Sequence, residues 1–234
     1  MKVIVTTRTL NEEQNIRTFI ESNEWADEVL ILDGGSDDDT VSIVNDYDYA
    51  FVRSFHERVE LKSGYWRNPQ GKHINACFDW AIERGADWMI FDDCDCFPNK
   101  TLRENARDVL LDTTADVVRV TRLYLWGYTH HFPAMAKPGN GVDWCPGMWA
   151  YRPSANLRAE EKDPLVHYIS LKDRKDLSKE DLMPPYCLLH RFCPDEETTD
   201  RKLKKYREGG QHPNLLHPKV AGGEIKLLPK WAVL

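Results

Sequence analysis

The sequence predicts an α/β domain with a mostly parallel central sheet, and three observations carry that prediction. Short, almost wholly apolar runs alternate with segments of helical period, as strands buried on both faces and their crossover helices require. Clusters of polar residues directly follow three of the runs, where an open α/β sheet binds its ligands. No internal repeat or low-complexity linker divides the 234 residues, so one domain with one substantial core is expected.

Lys2 to Thr7 is rich in β-branched residues and reads as the first strand. Asn11 and Gln14 have capping-box spacing and predict a helix over Glu12–Glu21. Glu28 to Leu32 reads as a buried strand stopping at Asp33-Gly34-Gly35, and a helix is expected from Asp38 to Asn45. Tyr49 to Arg53 predicts a third strand, and the polar stretch with Gly64, Pro69 and Gly71 predicts a loop. Ile74, Cys77, Phe78, Ala81 and Ile82 share one face of a helix over Lys72–Arg84, which Gly85 is placed to end. Trp88 to Phe91 is the next strand and runs into Asp92-Asp93-Cys94-Asp95. Beyond it, the pattern predicts a helix over Thr101–Leu111, strands near Val117–Tyr128 and Met148–Arg152, and a last helix near Glu196–Tyr206.

The net charge of −7 argues against a chain that coats nucleic acid through its whole surface. The basic run Arg201, Lys202, Lys204, Lys205 and Arg207 reads as the solvated face of a helix, though a local basic patch could still guide an anionic substrate. Six cysteines in a chain too large to need disulfide staples, without a secretory signal, predict reduced thiols and a cytoplasmic location. No apolar run approaches the roughly 20 residues of a membrane span, so a membrane-bound substrate would be met at the surface.

The three polar clusters are Thr7-Arg8-Thr9, Asp33-Gly34-Gly35-Ser36-Asp37 and Asp92-Asp93-Cys94-Asp95. Asp33 could accept an N–H from a base while Gly34 and Gly35 leave room for ribose or phosphate; the glycines could equally serve a turn alone. Three carboxylates within four positions repel one another unless a cation sits between them. Oxygen ligands in this number suit Mg²⁺ or Mn²⁺, with a solvated loop as the plain alternative. His190 offers an imidazole that could be a metal ligand or an ordinary partly buried histidine, and the guanidinium of Arg191 beside it suits phosphate geometry.

The segments TTRTLNEEQNI, WADEVLILDGGSDDDT and GKHINACFDWAIERGADWMIFDDCDCFP, with LLHRFCPDEETTDRKLKKYR further on, resemble glycosyltransferase family 2, a family of the GT-A (Rossmann-like, nucleotide-diphospho-sugar transferase) fold. The resemblance implies one GT-A domain over residues 1–234, with a nucleotide-binding half over 1–98 and an acceptor-side half over 99–234. It implies a metal-dependent hexosyltransferase-like enzyme using a nucleotide-sugar donor, with a UDP-sugar favoured and inversion at the sugar. By the same resemblance Thr7, Thr9 and Asn11 line the nucleoside pocket, Asp33 contacts the base, and Lys72 lies near the base or phosphates. Asp93 and Asp95 match the motif that holds ribose and metal; Asp92 stands where the family usually has an apolar residue.

Inversion needs a carboxylate to deprotonate the acceptor hydroxyl. Asp143, in the Gly- and aromatic-rich GNGVDWCPGMW, is preferred over Glu160, Glu161 and Asp163, and Trp126, Trp144 and Trp149 could stack on sugars or bases. The acceptor can be a glycan, a lipid-linked sugar, a small molecule or nucleic acid. One rival reading is a structural zinc module on Cys187, His190 and Cys193; another is a non-catalytic sugar-nucleotide binder. A nucleotidyltransferase would need a Gly-rich phosphate loop after the first strand, and TTRTLNEEQ has no glycine.

Overall fold

The computed structural model describes residues 1–60, 66–126, 130–132, 146–159, 161, 174–193, 226–227 and 232. The elements are β1 (Val3–Thr9), α1 (Glu13–Ser22), β2 (Glu28–Asp33), α2 (Thr40–Val44), β3 (Ala50–Ser54), β4 (Val59–Glu60), β5 (Trp66–Arg67), α3 (Gln70–Glu83), β6 (Trp88–Phe91), β7 (Cys96–Pro98) and α4 (Lys100–Asp112). There follow β8 (Val117–Trp126), β9 (His130–Phe132), β10 (Pro146–Tyr151), a 3₁₀ turn (Pro153–Ala155), β11 (Lys179–Cys193) and β12 (Lys226–Leu227).

β3, β2, β1 and β6 lie side by side and parallel. β10 runs antiparallel between β6 and β8, and β11 pairs parallel with β8 and antiparallel with β7. Alternation along the strands splits the core between the two faces. Val3, Val5, Val29, Ile31, Trp88 and Ile90 pack with α1 and α4; Ile4, Leu30, Leu32 and Met89 pack with Ile74, Cys77 and Phe78 of α3. All of β2 is buried, as its apolar run predicts, and truncating a side chain such as Ile31 to alanine would cost about 2–5 kcal/mol. At the opposite edge from the polar clusters, Glu28 is held by Arg84 and Lys2, and Arg84's hydrogen bonds draw its carboxylate below the ordinary range.

The order of the strands positions the site. From β1 the chain crosses through α1 to β2 and outward to β3, then returns through α3 to β6 on the other side of β1. That reversal sets the topological switch point, the place of the ligand crevice in open α/β sheets, at the carboxyl ends of β1 and β6.

Several local expectations are corrected. Asn11 has a left-handed backbone (φ 58°) and Glu12 is the residue before α1, so no Asn11–Gln14 capping box forms. Pro69 precedes α3 and Gly71 lies in its first turn rather than in a loop. Ile82 is 43% exposed, because it falls at the edge of the face that Ile74, Cys77, Phe78 and Ala81 bury. β7 and β11 were not foreseen. β11 accommodates Pro184 and Pro185 where its register against β8 shifts. The helix expected near Glu196–Tyr206 lies outside the described residues. Among the described residues no helix is long and apolar enough to cross a membrane.

Candidate active site

Two loops and one turn converge at the crevice. Asp33, 3% exposed, ends β2, and its carboxylate takes four hydrogen bonds from the chain itself. Thr9 Oγ1 and Ser36 Oγ donate to Oδ1 at 2.9 and 2.5 Å, and the Gly35 and Ser36 amides donate to Oδ2 at 2.8 Å each. Four bonds fill the acceptor capacity of a carboxylate. The turn they close needs its glycines. A Cβ on Gly34 would stand 2.4 Å from Asn68 Oδ1, and Gly35 has φ +94°.

This loop also closes α1. The Asn11 amide donates to Ser36 Oγ, and the Asn11 carboxamide exchanges bonds with Asp37, Nδ2 to Oδ1 at 2.7 Å and Asp37 N to Oδ1 at 3.0 Å. The orphan amides of Glu12 and Glu13 donate to Thr40 Oγ1 and Asp38 Oδ2. A neighbouring loop therefore caps the helix in place of the predicted local box. His73, on α3, fastens the same region: its Nε2 is 2.8 Å from the Leu32 carbonyl, and its ring stacks on Phe55 at 4.3 Å. Burial pushes the His73 pKa down to about 4, so it is neutral and donates to that carbonyl.

The acidic turn after β6 is arranged differently, because each carboxylate meets a nitrogen-bearing side chain. Asp92 is buried and binds Arg122 of β8, Oδ1 to Nη2 at 2.6 Å. Burial pushes its pKa up, with Arg122 opposing that shift. Asp93 Oδ1 is 3.2 Å from Arg8 Nη2 of β1. Asp95 Oδ1 is 3.2 Å from His190 Nε2 of β11, and the Asp95 carbonyl accepts the Arg191 amide at 2.7 Å. The Arg191 side chain reaches Asn15 Oδ1 at 3.4 Å. The repulsion foreseen among these carboxylates is thus relieved by the protein's own side chains.

Asp95, Cys96 and His190 offer ligand atoms within 4.8 Å of one another. Burial holds the Cys96 thiol well above its ordinary pKa, while the carboxylate and the imidazole add an oxygen and a nitrogen donor to the group. The zinc reading on Cys187, His190 and Cys193 fares worse. Cys187 packs with Leu123, Leu125 and Leu189, whereas His190, three residues on and at opposite strand parity, faces Asp95.

The remaining residues are spread more widely. Thr7 is wholly buried, its hydroxyl 3.4 Å from the Arg8 carbonyl. Lys72 is half exposed and pairs with Glu57 at 2.8 Å. Glu161 accepts from Asn75 Nδ2 at 2.6 Å on the flank of α3; Asn75 also exchanges hydrogen bonds with the Ala159 main chain. Trp149 is buried in the core against Trp25, 6.2 Å between ring centres. Asp143, Glu160, Asp163 and Trp144 lie outside the described residues, as does the side chain of Trp126. Arg122 was missed. Its signal is parity: it follows Val118 and Val120 on the inward face of β8, where a cation needs a buried partner.

The sequence matches the family described as Glycosyl transferase family 2 over residues 3–137, more than half of its length. The chain belongs to that family. Its enzyme class and its GT-A architecture are therefore those the sequence resembles. No curated protein matches this family 2 chain. Among solved structures it is similar to S. aureus TarS 1–349, with a TM-score of 0.58 and 20% identity over 89% of this chain and 65% of that one. The same protein in complex with UDP-GlcNAc gives a TM-score of 0.56 at 18% identity, over 89% of this chain and 66% of that one. Glucosyl-3-phosphoglycerate synthase from Mycobacterium tuberculosis, in complex with Mn²⁺ and UDP-glucose, gives 0.51 at 18% identity over 97% and 86%. At these identities the likeness is one of fold. The chain spans about two thirds of the TarS segment's length.

Proposed function

We propose that this chain transfers a sugar from a nucleotide-sugar donor, a UDP-sugar by preference, to an acceptor hydroxyl with inversion and with the help of Mn²⁺ or Mg²⁺. The observation that carries the reading is the acidic turn at the crevice between β1 and β6, in a family 2 chain, with Asp93 and Asp95 presented beside Arg8 and His190. The oxygen and nitrogen donors of Asp95 and His190, with Asp93 two residues before, fit a hard divalent cation. That cation, when bound, would stabilise the charge growing on the leaving diphosphate. The structures of relatives bound to UDP-GlcNAc and to Mn²⁺ with UDP-glucose support the choice of donor and metal.

In this reading Arg8, which pairs with Asp93, would yield that carboxylate to the metal and serve the diphosphate, with Arg191 beside it. Thr7, Thr9, Asn11 and Gly34 shape the nucleoside side, and Asp33 meets the base by exchanging the Ser36 hydroxyl. Lys72 would leave Glu57 for the phosphates. We assign residues 1–98 to the donor and 99–234 to the acceptor, with Asp143 as the base ahead of Glu160 and Glu161. The acceptor class, whether glycan, lipid-linked sugar, small molecule or nucleic acid, follows from that second half. A reducing, cytoplasmic setting completes the proposal, in keeping with the buried free thiols of Cys77, Cys94, Cys96 and Cys187.

The test is a thermal-shift panel of UDP, GDP, dTDP and CMP and their sugar conjugates, each with Mn²⁺, Mg²⁺ or EDTA. A metal-dependent rise with the uridine compounds is expected. No shift with any nucleotide would overturn the reading, and binding without hydrolysis or transfer would favour a non-catalytic binder.

A further inference from the structure

Asp92 differs from its neighbours in the acidic turn. It is 3% exposed, yet it is a carboxylate at the end of an apolar strand. Its Oδ1 accepts both Arg122 Nη2 at 2.6 Å and the Asp93 amide at 3.2 Å. An ion pair that takes a carboxylate out of water, here with Arg122 still 24% exposed, is rarely more stabilising than apolar side chains of the same volume, so stability alone is a weak reason to keep it. What the pair does geometrically is hold the first peptide of the turn that carries Asp93 and Asp95.

The other end of that turn is held by the neighbouring strand. Arg122 lies opposite Leu188 in the register of β8 and β11, two positions before the His190 that meets Asp95 and three before the Arg191 amide that binds the Asp95 carbonyl. One strand pair from the second half of the chain thus grips both ends of a turn from the first. We infer that Arg122 is a positioning residue for the donor and metal site, acting through Asp92 to set the backbone from Asp93 to Asp95. The inference rests on the proposed role of Asp93 and Asp95 in holding the metal.

Removing Arg122 alone would strand a buried carboxylate, so the decisive variant removes both partners, Asp92→Leu with Arg122→Met. Arg122→Lys is made beside it, since lysine keeps the charge but not the fork of donors. Calorimetry with UDP in the presence of Mn²⁺, and with Mn²⁺ alone, is read against melting temperature. The double variant is expected to melt near the wild type while binding UDP with Mn²⁺ about ten-fold or more weakly, the scale on which partners that orient metal ligands act; Arg122→Lys should recover part of that loss. A folded double variant binding as tightly as wild type would overturn the inference, and so would wild-type binding by Arg122→Lys if the double variant fails to fold. Wild-type protein that binds neither probe would remove the proposed function itself, which separates the two failures.

Discussion

Two acidic segments border the same crevice and use their charges in opposite ways. In the loop after β2, Asp33, Asp37 and Asp38 spend their oxygens on main-chain amides, hydroxyls and a carboxamide of the chain itself. In the turn after β6, Asp92, Asp93 and Asp95 face Arg122, Arg8 and His190 instead. Main-chain donors cannot leave without unfolding the loop. The Arg8 guanidinium and the His190 imidazole, on side chains that can rotate, can be exchanged for a metal ion or a phosphate. The first segment is therefore mainly braced by the fold, with the Ser36 hydroxyl as an exchangeable partner of Asp33, whereas the second is held chiefly by side chains that can be replaced, although the sequence shows only two runs rich in aspartate.

The sharpest way to break that contrast is Asp95→Asn. Turnover with a metal is expected to fall by about 10²–10³-fold, while the circular dichroism stays that of the wild type, because asparagine still accepts from His190 and the Arg191 amide bond is untouched. Unchanged activity would remove the turn from the chemistry. In the brace, Asp33→Ala would leave two amides and two hydroxyls unmet and should lower the unfolding free energy in urea by about 2–4 kcal/mol. Nucleotide affinity should fall more than Mn²⁺ affinity in the same variant; an unmoved urea midpoint would show that the loop is held by something else.

The brace also has a pH signature. His73 remains neutral in the fold down to about 4, whereas in the unfolded chain it takes up a proton near 6.5. The unfolded state binds more protons between these values, so stability should be flat above pH 6.5 and decline below it, by up to roughly 3 kcal/mol near pH 4. His73→Gln, which keeps a donor for the Leu32 carbonyl, should flatten that part of a melting-temperature profile. The smallest effect sharpens the account of the site. Arg8→Met removes the partner of a partly exposed Asp93, so Mn²⁺ alone should bind up to about ten-fold tighter while UDP binds more weakly. Loss of both affinities together would mean that Arg8 only supports the fold.

Much of the fold over residues 1–98 could be read without coordinates. The apolar runs became β1, β2, β3 and β6 within about two residues, and the clusters that follow them meet at one crevice. The Asn11–Gln14 cap is a local pattern whose outcome was decided by partners distant in the chain, Thr40 and Asp38. Arg122 is the strongest case, 30 residues from Asp92 and on another strand.

By itself, then, the sequence determined the alternation of strands and helices, the polar residues at the strand ends and the family, because hydrophobic period and motif spacing are local properties. Only the tertiary structure decided which aspartates are consumed as caps and which face exchangeable partners. A carboxylate's role depends on the donors that reach its oxygens, and here those donors come from β1, β8 and β11, brought together by sheet pairings that no local pattern records.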